Sequence, residues 1–378
     1  MSRTRVCVVG SGTMFVSGIS HYTYFLATHL NREFDVSAIL MRRLIPRALY
    51  PGRKRVGSQL MSRSVEDELP TFNGIDWTLI PSLFKATRFF RRSRPEVLIL
   101  QWWSASTLPA YLVLSALARR HHIPVVIELH EEVDTGEANV PLIGPLIKKG
   151  GRLLMSRGSA FVVHSNADFD RMTKSMGIPP ERTHVVLLGP FDLAGASEQR
   201  PVVDRTVTLL FFGTIRPYKG LEFLIEAFDQ LPRDTITWRL LVVGETWEGW
   251  TKPLQLIASS PFADDIELVN HYVSDDEIPE YFSKADIVVL PYLRSSASGP
   301  LHIAMAAGLP LVVSDLDTLQ EAAAGYEGAH FSRVGDADHI ASSILQAHAL
   351  VGERFNDPRS WEHTVDSFAT IIGTLCQE

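Results

Sequence analysis

Apolar positions along this chain come in short, nearly unbroken runs separated by helix-length segments of mixed polarity. In the first half the runs are RVCVVG (5–10), FDVSAIL (34–40), DWTLIP (76–81), EVLILQ (96–101), PVVIELH (124–130), AFVVHS (160–165) and HVVLLG (184–189). In the second half they are VTLLFFG (207–213), WRLLVVG (238–244), IELVN (266–270), DIVVLPY (286–292) and LPLVVSD (309–315). Runs this continuous predict strands covered on both faces, as in parallel sheets, and their alternation with helical segments predicts βαβ units. A polar stretch with Gly and Pro, 189–206, separates the halves and reads as a linker. Two doubly wound α/β domains follow, whose ligands are expected beyond the carboxyl ends of the strands. The last segment, 358–377, places Trp361, Val365, Phe368, Ile371, Ile372 and Leu375 at helical spacing and predicts a terminal helix with one apolar face.

The bulk numbers agree. A chain of 378 residues suits two cores better than one, and a mean hydropathy of +0.06 describes a folded chain with no excess of apolar residues. Cys7 and Cys376 lie at opposite ends, so no disulfide framework or clustered-thiol metal site can be built from them. The apolar run 6–9 is too short for the core of a signal peptide. Residues 97–118 carry no charge and are long enough to span a bilayer. Gln101, Ser104, Ser106, Thr107 and Pro109 interrupt them, and a strand, a loop and a helix are expected instead. The expected setting is therefore cytoplasmic. Charge is divided: residues 1–190 hold 24 Lys and Arg against 15 Asp and Glu, whereas 191–378 hold 12 against 28. A basic half points to an anionic partner for that half.

Five segments carry candidate chemistry. GSGTMFVSGIS (10–20) is a Gly-rich turn between the first strand and a helix expected to run to about Asn31. Gly10, Gly12 and Gly18 would let backbone approach a ligand, with the helix N-terminus facing any phosphate. A dinucleotide reading needs an acid after the second strand, where Met41, Arg42 and Arg43 stand, so a nicotinamide enzyme is disfavoured. FFGTIRPYKGLEFLIEAF (211–228) repeats the strand–turn–helix plan, with Gly213 and Gly220 in the turn and Arg216 and Lys219 as cations suited to a diphosphate. In 286–315, Ser298 and Gly299 precede Pro300, where a helix is expected to start, leaving backbone N–H groups of Ser298 to Leu301 for an anion.

ELHEEVDTGEANVP (128–141) sets His130 at the end of the fifth strand, among Glu128, Glu131, Glu132 and Asp134, which read as a solvated acidic loop. His130 has no second nitrogen ligand at close spacing, so no metal is expected. Finally, Arg42, Arg43, Arg47, Arg53, Lys54 and Arg55 interleave with apolar residues, as do Lys85, Arg88, Arg91, Arg92 and Arg94 with Phe84, Phe89 and Phe90. Such segments suit an anionic membrane surface or a phosphorylated lipid acceptor. No nucleic-acid module accompanies them, and nucleic acid is not expected as a partner.

GTIRPYKG (213–220), NHYVSDDEIPEYFSKADIVVLPY (270–292) and SGPLHIAMAAGLPLVVSD (298–315) together resemble the family-4 retaining glycosyltransferases, the glycosyl transferases of group 1. The resemblance is strong over 207–325, looser before it, and spans nearly the whole chain. It implies the GT-B fold: two Rossmann-like domains with a cleft between them and a C-terminal helix crossing back. The boundaries implied are 1–190 for an acceptor-side domain, 205–357 for a nucleotide-sugar-binding domain, and 358–378 for the returning helix. By position it assigns Arg216 and Lys219 to the donor diphosphate and leaving group, and His130 to the transferred sugar near the reaction centre. Gly12, Gly18 and Gly213 would line the phosphates and reacting sugar, and Ser298, Gly299, Pro300 and Leu301 the diphosphate. Asn270, Tyr272 and Val273 would lie near the nucleotide base.

The function implied is retaining, metal-independent transfer of a hexose-type sugar from a UDP- or GDP-sugar to a hydroxyl acceptor, lipid-linked or anionic. Such reactions serve cell-surface polysaccharide, glycolipid or secondary-metabolite synthesis. No cofactor beyond the nucleotide sugar is implied, and the basic N-terminal half would touch the inner face of the membrane peripherally. Two departures stand out. The family's paired glutamates fall at Ser295 and Ile303, and the arginine usual after the turn's first glycine is Thr214, with Arg216 as its substitute. The missing glutamates keep open an inactive GT-B binding or partner subunit. The first turn, with Arg42 near a 2′-phosphate, keeps open an NAD(P)-dependent enzyme; another GT-B enzyme, such as a sugar-nucleotide epimerase or phosphorylase, is a third alternative.

Overall fold

The computed structural model describes residues 3–13, 18–43, 61, 63–76, 80–130, 144–193, 206–246, 249–295 and 298–377. The chain forms two compact units, one of residues 1–189 with 360–378, the other of 190–359.

In the first unit, strands and helices alternate: β1 (Arg5–Ser11), α1 (Gly18–Leu30), β2 (Asp35–Arg43), α2 (Val65–Glu68), β3 (Thr71–Asp76), α3 (Ile80–Ser93), β4 (Val97–Trp102) and α4 (Leu108–Arg120). Then come β5 (Val125–Leu129), α5 (Gly144–Met155), β6 (Ala160–Val163), α6 (Asn166–Met176) and β7 (Thr183–Val185). The sheet has the order β3-β2-β1-β4-β5-β6-β7, and its pairs are parallel throughout. The order reverses between β1 and β4, so the crevice above their carboxyl ends is the place where such sheets bind ligands. β1, β4 and β5 are apolar because helices cover both faces, and their residues from Val6 to Val9 and Val97 to Leu100 are fully buried.

The second unit repeats the plan with β8 (Thr206–Phe212), α7 (Leu221–Asp229), β9 (Thr237–Val243), α8 (Lys252–Ser259), β10 (Ile266–Val269), α9 (Ile278–Lys284) and β11 (Ile287–Leu290). It ends with α10 (Gly299–Ala306), β12 (Leu311–Ser314), α11 (Asp317–Ala322), β13 (Ala329–Ser332) and α12 (Ala337–His348). Its sheet order is β10-β9-β8-β11-β12-β13, parallel, with the reversal between β8 and β11.

The last helix, α13 (Trp361–Gln377), belongs to the first unit. Trp361 stacks on His29 at 4.8 Å and on Phe25 at 5.7 Å, both from α1. The Thr364 hydroxyl donates to the Leu187 carbonyl at 2.9 Å. Val365, Phe368, Ile371 and Ile372 are buried as the spacing predicts, while Leu375 is not fully covered.

Three expectations need correction. The strand expected at 76–81 lies instead at Thr71–Asp76, and Ile80 opens a helix. TFNGID escaped notice because Thr71 to Gly74 are only half-buried and the run is not continuously apolar. β13, with the sequence AHFS, has too little apolar character to stand out, yet it pairs with β12 at the sheet edge. The run 184–189 shortens to three residues ending at Val185. Residues 97–118 form β4, a short 3-10 turn and most of α4. Among the described residues no helix is long and apolar enough to cross a membrane.

Candidate functional site

At the carboxyl end of β5, His130 is held by its backbone N–H, which donates to the Trp102 carbonyl at the end of β4, 2.9 Å away. Glu128, expected in a solvated acidic loop, is instead fully buried inside β5. Strand alternation puts it on the same face as His130. Its carboxylate accepts from the Tyr22 hydroxyl of α1 and from the Gln101 amide of β4 at 3.1 Å. The sheet order sets β6 beside β5 and brings in His164, the first residue after β6. Its ring lies 4.6 Å from that of His130, centroid to centroid, and Tyr22 meets both edge-on. Burial pushes the His164 imidazole down to about 4, with His130 adding to the effect. Burial alone would raise the Glu128 carboxyl, but the histidines and the Tyr22 hydroxyl prevail and hold it below the usual carboxylate range. His164, Tyr22 and Gln101 were not found by sequence reasoning. The available signal is that PVVIELH and AFVVHS both end a buried strand with a histidine.

The first Gly-rich turn has internal reasons for its glycines. A Cβ on Gly10 would meet Gln101 Oε1 at 2.1 Å, and one on Gly12 would meet the Met41 carbonyl at 2.7 Å. Gly18 opens α1, is exposed, and a Cβ there would meet no atom of the described residues outside its chain neighbours and its own helix within 4 Å. Residues 14–17 lie outside the described residues, as do Arg47, Arg53, Lys54, Arg55, Glu131, Glu132 and Asp134. Arg43 is turned to Asp76, whose carboxylate it meets with Nε at 2.8 Å and with Nη2, a pairing that occupies the cation of the second strand's end.

In the second unit, the turn after β8 leads through a short 3-10 segment, Pro217–Lys219, into α7. Gly213 (φ +120°) and Gly220 (φ +64°) both use backbone conformations that favour glycine. The Tyr218 carbonyl accepts from the Leu293 N–H at 2.8 Å, tying this turn to the loop after β11. Lys219 is 8% exposed and its ammonium sits 3.6 Å above the Tyr292 ring centroid, a cation–π contact that fixes where the charge stands. Arg294 lies over Tyr218 at 4.7 Å and adds a further cation that the sequence reading did not single out. Arg216 is the residue before the 3-10 segment, so both expected cations belong to this one turn.

The helix expected to begin at Pro300 begins one residue earlier, at Gly299, with Ser298 as its N-cap. The expectation of four available amides there is too generous. Pro300 has no N–H, and the Leu301 N–H donates to the Ser298 hydroxyl at 3.3 Å. Ser298 and Gly299 are left as the amides that can turn to an anion. α10 is anchored from below by Arg359, which donates to Asp357 at 2.8 Å, to His302 Nδ1 and to the Met305 sulfur at 3.4 Å. Ile303 is buried, and Ser295 accepts through its carbonyl from Thr318 at 2.9 Å. Beyond β10, Asn270 Oδ1 accepts from the Thr246 N–H and hydroxyl, each at 2.9 Å, while Tyr272 is half-buried and Val273 buried. Asn270, Tyr272, Gly213, Arg216, Lys219, Ser298 and Gly299 thus all sit at carboxyl ends of strands in one sheet.

Residues 206–349 match the family described as glycosyl transferases group 1, and residues 17–189 match the glycosyl transferase 4-like domain. The D-inositol 3-phosphate glycosyltransferase of Geodermatophilus obscurus is 26% identical over 249 residues, which are 61% of this chain and 55% of that protein. The chain spans about half the length of the curated relatives it matches, or less. Among solved structures, sucrose-phosphate synthase from Thermosynechococcus elongatus superposes with a TM-score of 0.70 at 15% identity, covering 99% of each chain. Anabaena HepE, solved in complex with UDP-glucose, gives 0.64 at 15% identity, covering 99% of this chain and all of that one. Likeness at such identity carries the fold, two parallel-sheet α/β units of the GT-B kind.

Proposed function

Since the chain belongs to the group 1, 4-like glycosyltransferases, we propose that it transfers a hexose-type sugar from a nucleoside-diphosphate sugar to a hydroxyl acceptor, with retention and without a metal on the diphosphate. The observation that carries this reading is the turn at 213–220, where Arg216 and the Tyr292-seated Lys219 stand beside the loop leading to α10. Charge grows on the diphosphate as the sugar leaves, and fixed cations with helix-tip amides stabilise that charge more than the ground state. In this reading Arg216, Lys219, Ser298 and Gly299 hold the diphosphate, with Gly213 allowing its approach. Gly12 and Gly18 face the phosphates or reacting sugar, and His130 contacts the sugar. Asn270, Tyr272 and Val273 border the base. UDP-glucose bound to HepE supports a UDP-sugar, and a relative named GDP-mannose:glycolipid 4-beta-D-mannosyltransferase from Xanthomonas campestris, 28% identical over 145 residues, supports a GDP-sugar.

Ile303 offers a buried hydrocarbon where the family commonly has a ribose-binding glutamate, so base and ribose recognition must rest on other groups. The acceptor we propose is lipid-linked or anionic, met at the inner face of a membrane. Support comes from α3, whose exposed side includes Ile80, Phe84, Lys85, Arg88, Arg91 and Arg92.

Thermal unfolding with UDP, GDP, ADP, NAD and NADP tests the reading on wild type and Arg216→Ala. A ligand at a hundred times its Kd stabilises by about 2.7 kcal/mol. One nucleoside diphosphate should raise the wild-type Tm and leave Arg216→Ala unmoved. A shift by NADP alone, or by none of the five, overturns the proposal. Nucleotide binding without turnover on any acceptor would instead mark a binding subunit.

A further inference from the structure

Glu128, His130 and His164 converge at the carboxyl ends of β5 and β6, and sugar contact by His130 uses only one of them. Their ligand atoms all lie within 4.8 Å of one another, and all three residues are at least nine-tenths buried. The His130 Nε2 is 3.6 Å from Glu128 Oε2 and the His164 Nε2 is 3.8 Å from Oε1. Among the described residues, neither Nε2 has a partner within hydrogen-bond distance. The His164 Nδ1 stands 3.0 Å from the Val186 carbonyl oxygen. A carbonyl only accepts, so Nδ1 carries the proton and the neutral ring presents a lone pair at Nε2. That lone pair faces a carboxylate oxygen, itself an acceptor, in a buried place where unmatched polar groups are costly. Something positive, or a double donor, belongs between them.

We propose that Glu128, His130 and His164 form a binding site for a divalent transition-metal cation of the zinc class, ligated by two imidazole Nε2 atoms and one carboxylate oxygen. Zinc bonds of about 2.0–2.2 Å to nitrogen and oxygen set tetrahedral ligand atoms roughly 3.4 Å apart. The 3.6 and 3.8 Å pairs reach different Glu128 oxygens, so gathering both rings on one carboxylate oxygen asks the three ligand atoms to close from separations of at most 4.8 Å to about 3.4 Å. Two nitrogens and one oxygen suit zinc, whereas magnesium and calcium favour all-oxygen sets. The outer contacts are those that orient metal ligands: an Nδ1–H given to a backbone carbonyl, and a carboxylate steadied by Tyr22 and Gln101. A water has two protons for as many as three acceptors; a cation satisfies all three. Ligation through Nε2 would lock the His130 ring and leave its Nδ1 to meet a sugar hydroxyl. The cations assigned to the diphosphate lie on the other unit, so this proposal and the nucleotide-binding part of the transfer reading are tested separately, and the two share only His130.

The test uses the full chain, expressed with added Zn²⁺ and dialysed against metal-free buffer. Mass-spectrometric metal analysis should find about one zinc per chain, with a Tm that EDTA lowers. Under a tenth of an equivalent should remain in both His164→Gln and Glu128→Gln, while the exposed-site control His363→Gln keeps the wild-type content. Co²⁺ in the wild-type protein should give the visible bands of a four-coordinate site, which decides the matter even where a variant does not fold. A wild type that holds no zinc and shows no EDTA-sensitive Tm overturns the proposal. So does zinc retained equally in both variants. In either case the nucleotide shifts that test the transfer reading are unaffected.

Discussion

Gly220 carries the tightest constraint in the candidate donor turn. Its φ is +64°, and a Cβ there would stand 2.0 Å from the Pro291 carbonyl oxygen. The left-handed conformation costs a non-glycine residue about 1–2 kcal/mol, and the carbonyl is backbone, which cannot swing aside. Gly220→Ala should lose about 2–4 kcal/mol of stability, read by urea unfolding. Gly18→Ala is the opposite case, since among the described residues outside its chain neighbours and its own helix a Cβ there meets nothing within 4 Å. Its urea midpoint should match the wild type while nucleotide-sugar affinity falls, if Gly18 faces the donor as proposed. A destabilised Gly18→Ala with unchanged affinity would place that glycine in the fold and remove it from the site. At this scale the sequence was readable where neighbours in space are neighbours in the chain. Arg216 and Lys219 could be paired by inspection, because three residues separate them. His164 could not, because its meeting with Glu128 depends on β6 lying beside β5 in the sheet. Glu128 was misread because acidic residues follow it, while strand alternation turns it inward with His130.

Among the elements, the central strands were legible, as were the apolar runs at the edge strands β7 and β10, whereas the edge strands β3 and β13 were not. β1, β4, β8 and β9 announce themselves as apolar runs, but β3 and β13 are edge strands that need cover on fewer sides and so keep polar residues. The terminal helix was legible from its periodicity, and its docking carries a pH dependence. His29 lies under Trp361, its Nδ1 2.8 Å from the Phe25 carbonyl. Burial holds its pKa below 6.5, with Arg32 pushing the same way and Phe25 and Glu362 opposing. The unfolded chain therefore takes up this proton first as pH falls. The contribution is fully present above about 6.5 and is lost as pH drops toward the lowered folded value. His29→Phe keeps the stacking and removes the titration. Urea midpoints at pH 7.5 and 5.5 should differ less in His29→Phe than in wild type, and an equal difference would clear His29 of the effect.

For the molecule as a whole, the uneven charge gains a physical site in α3. Ile80 and Phe84 are 83% and 69% exposed, and Lys85, Arg88, Arg91 and Arg92 are exposed with them. Positions 80, 84, 88 and 91 follow helical spacing, so apolar and basic side chains share one stripe. A solvated helix has no reason to expose Ile and Phe together, whereas an interfacial helix buries them among headgroups. The two contributions separate by magnitude and by salt. Each basic residue near an anionic surface is worth about 1 kcal/mol, so four approach a thousandfold in binding at low salt. Raising ionic strength from 0.1 M to 1 M shortens the screening length from about 10 Å to about 3 Å and should remove most of that. Burying Phe84 is worth about 2 kcal/mol and is insensitive to such screening. Co-sedimentation with phosphatidylserine-containing vesicles should therefore fall steeply with salt in the wild type. Phe84→Ser should bind roughly thirtyfold more weakly at any given salt, with the same steepness, because it loses burial but no charge. Arg88→Gln with Arg91→Gln should show a shallower salt dependence. Binding that ignores salt, or a Phe84→Ser protein that binds as well as the wild type, would leave α3 a solvated helix and take from the acceptor proposal its membrane surface.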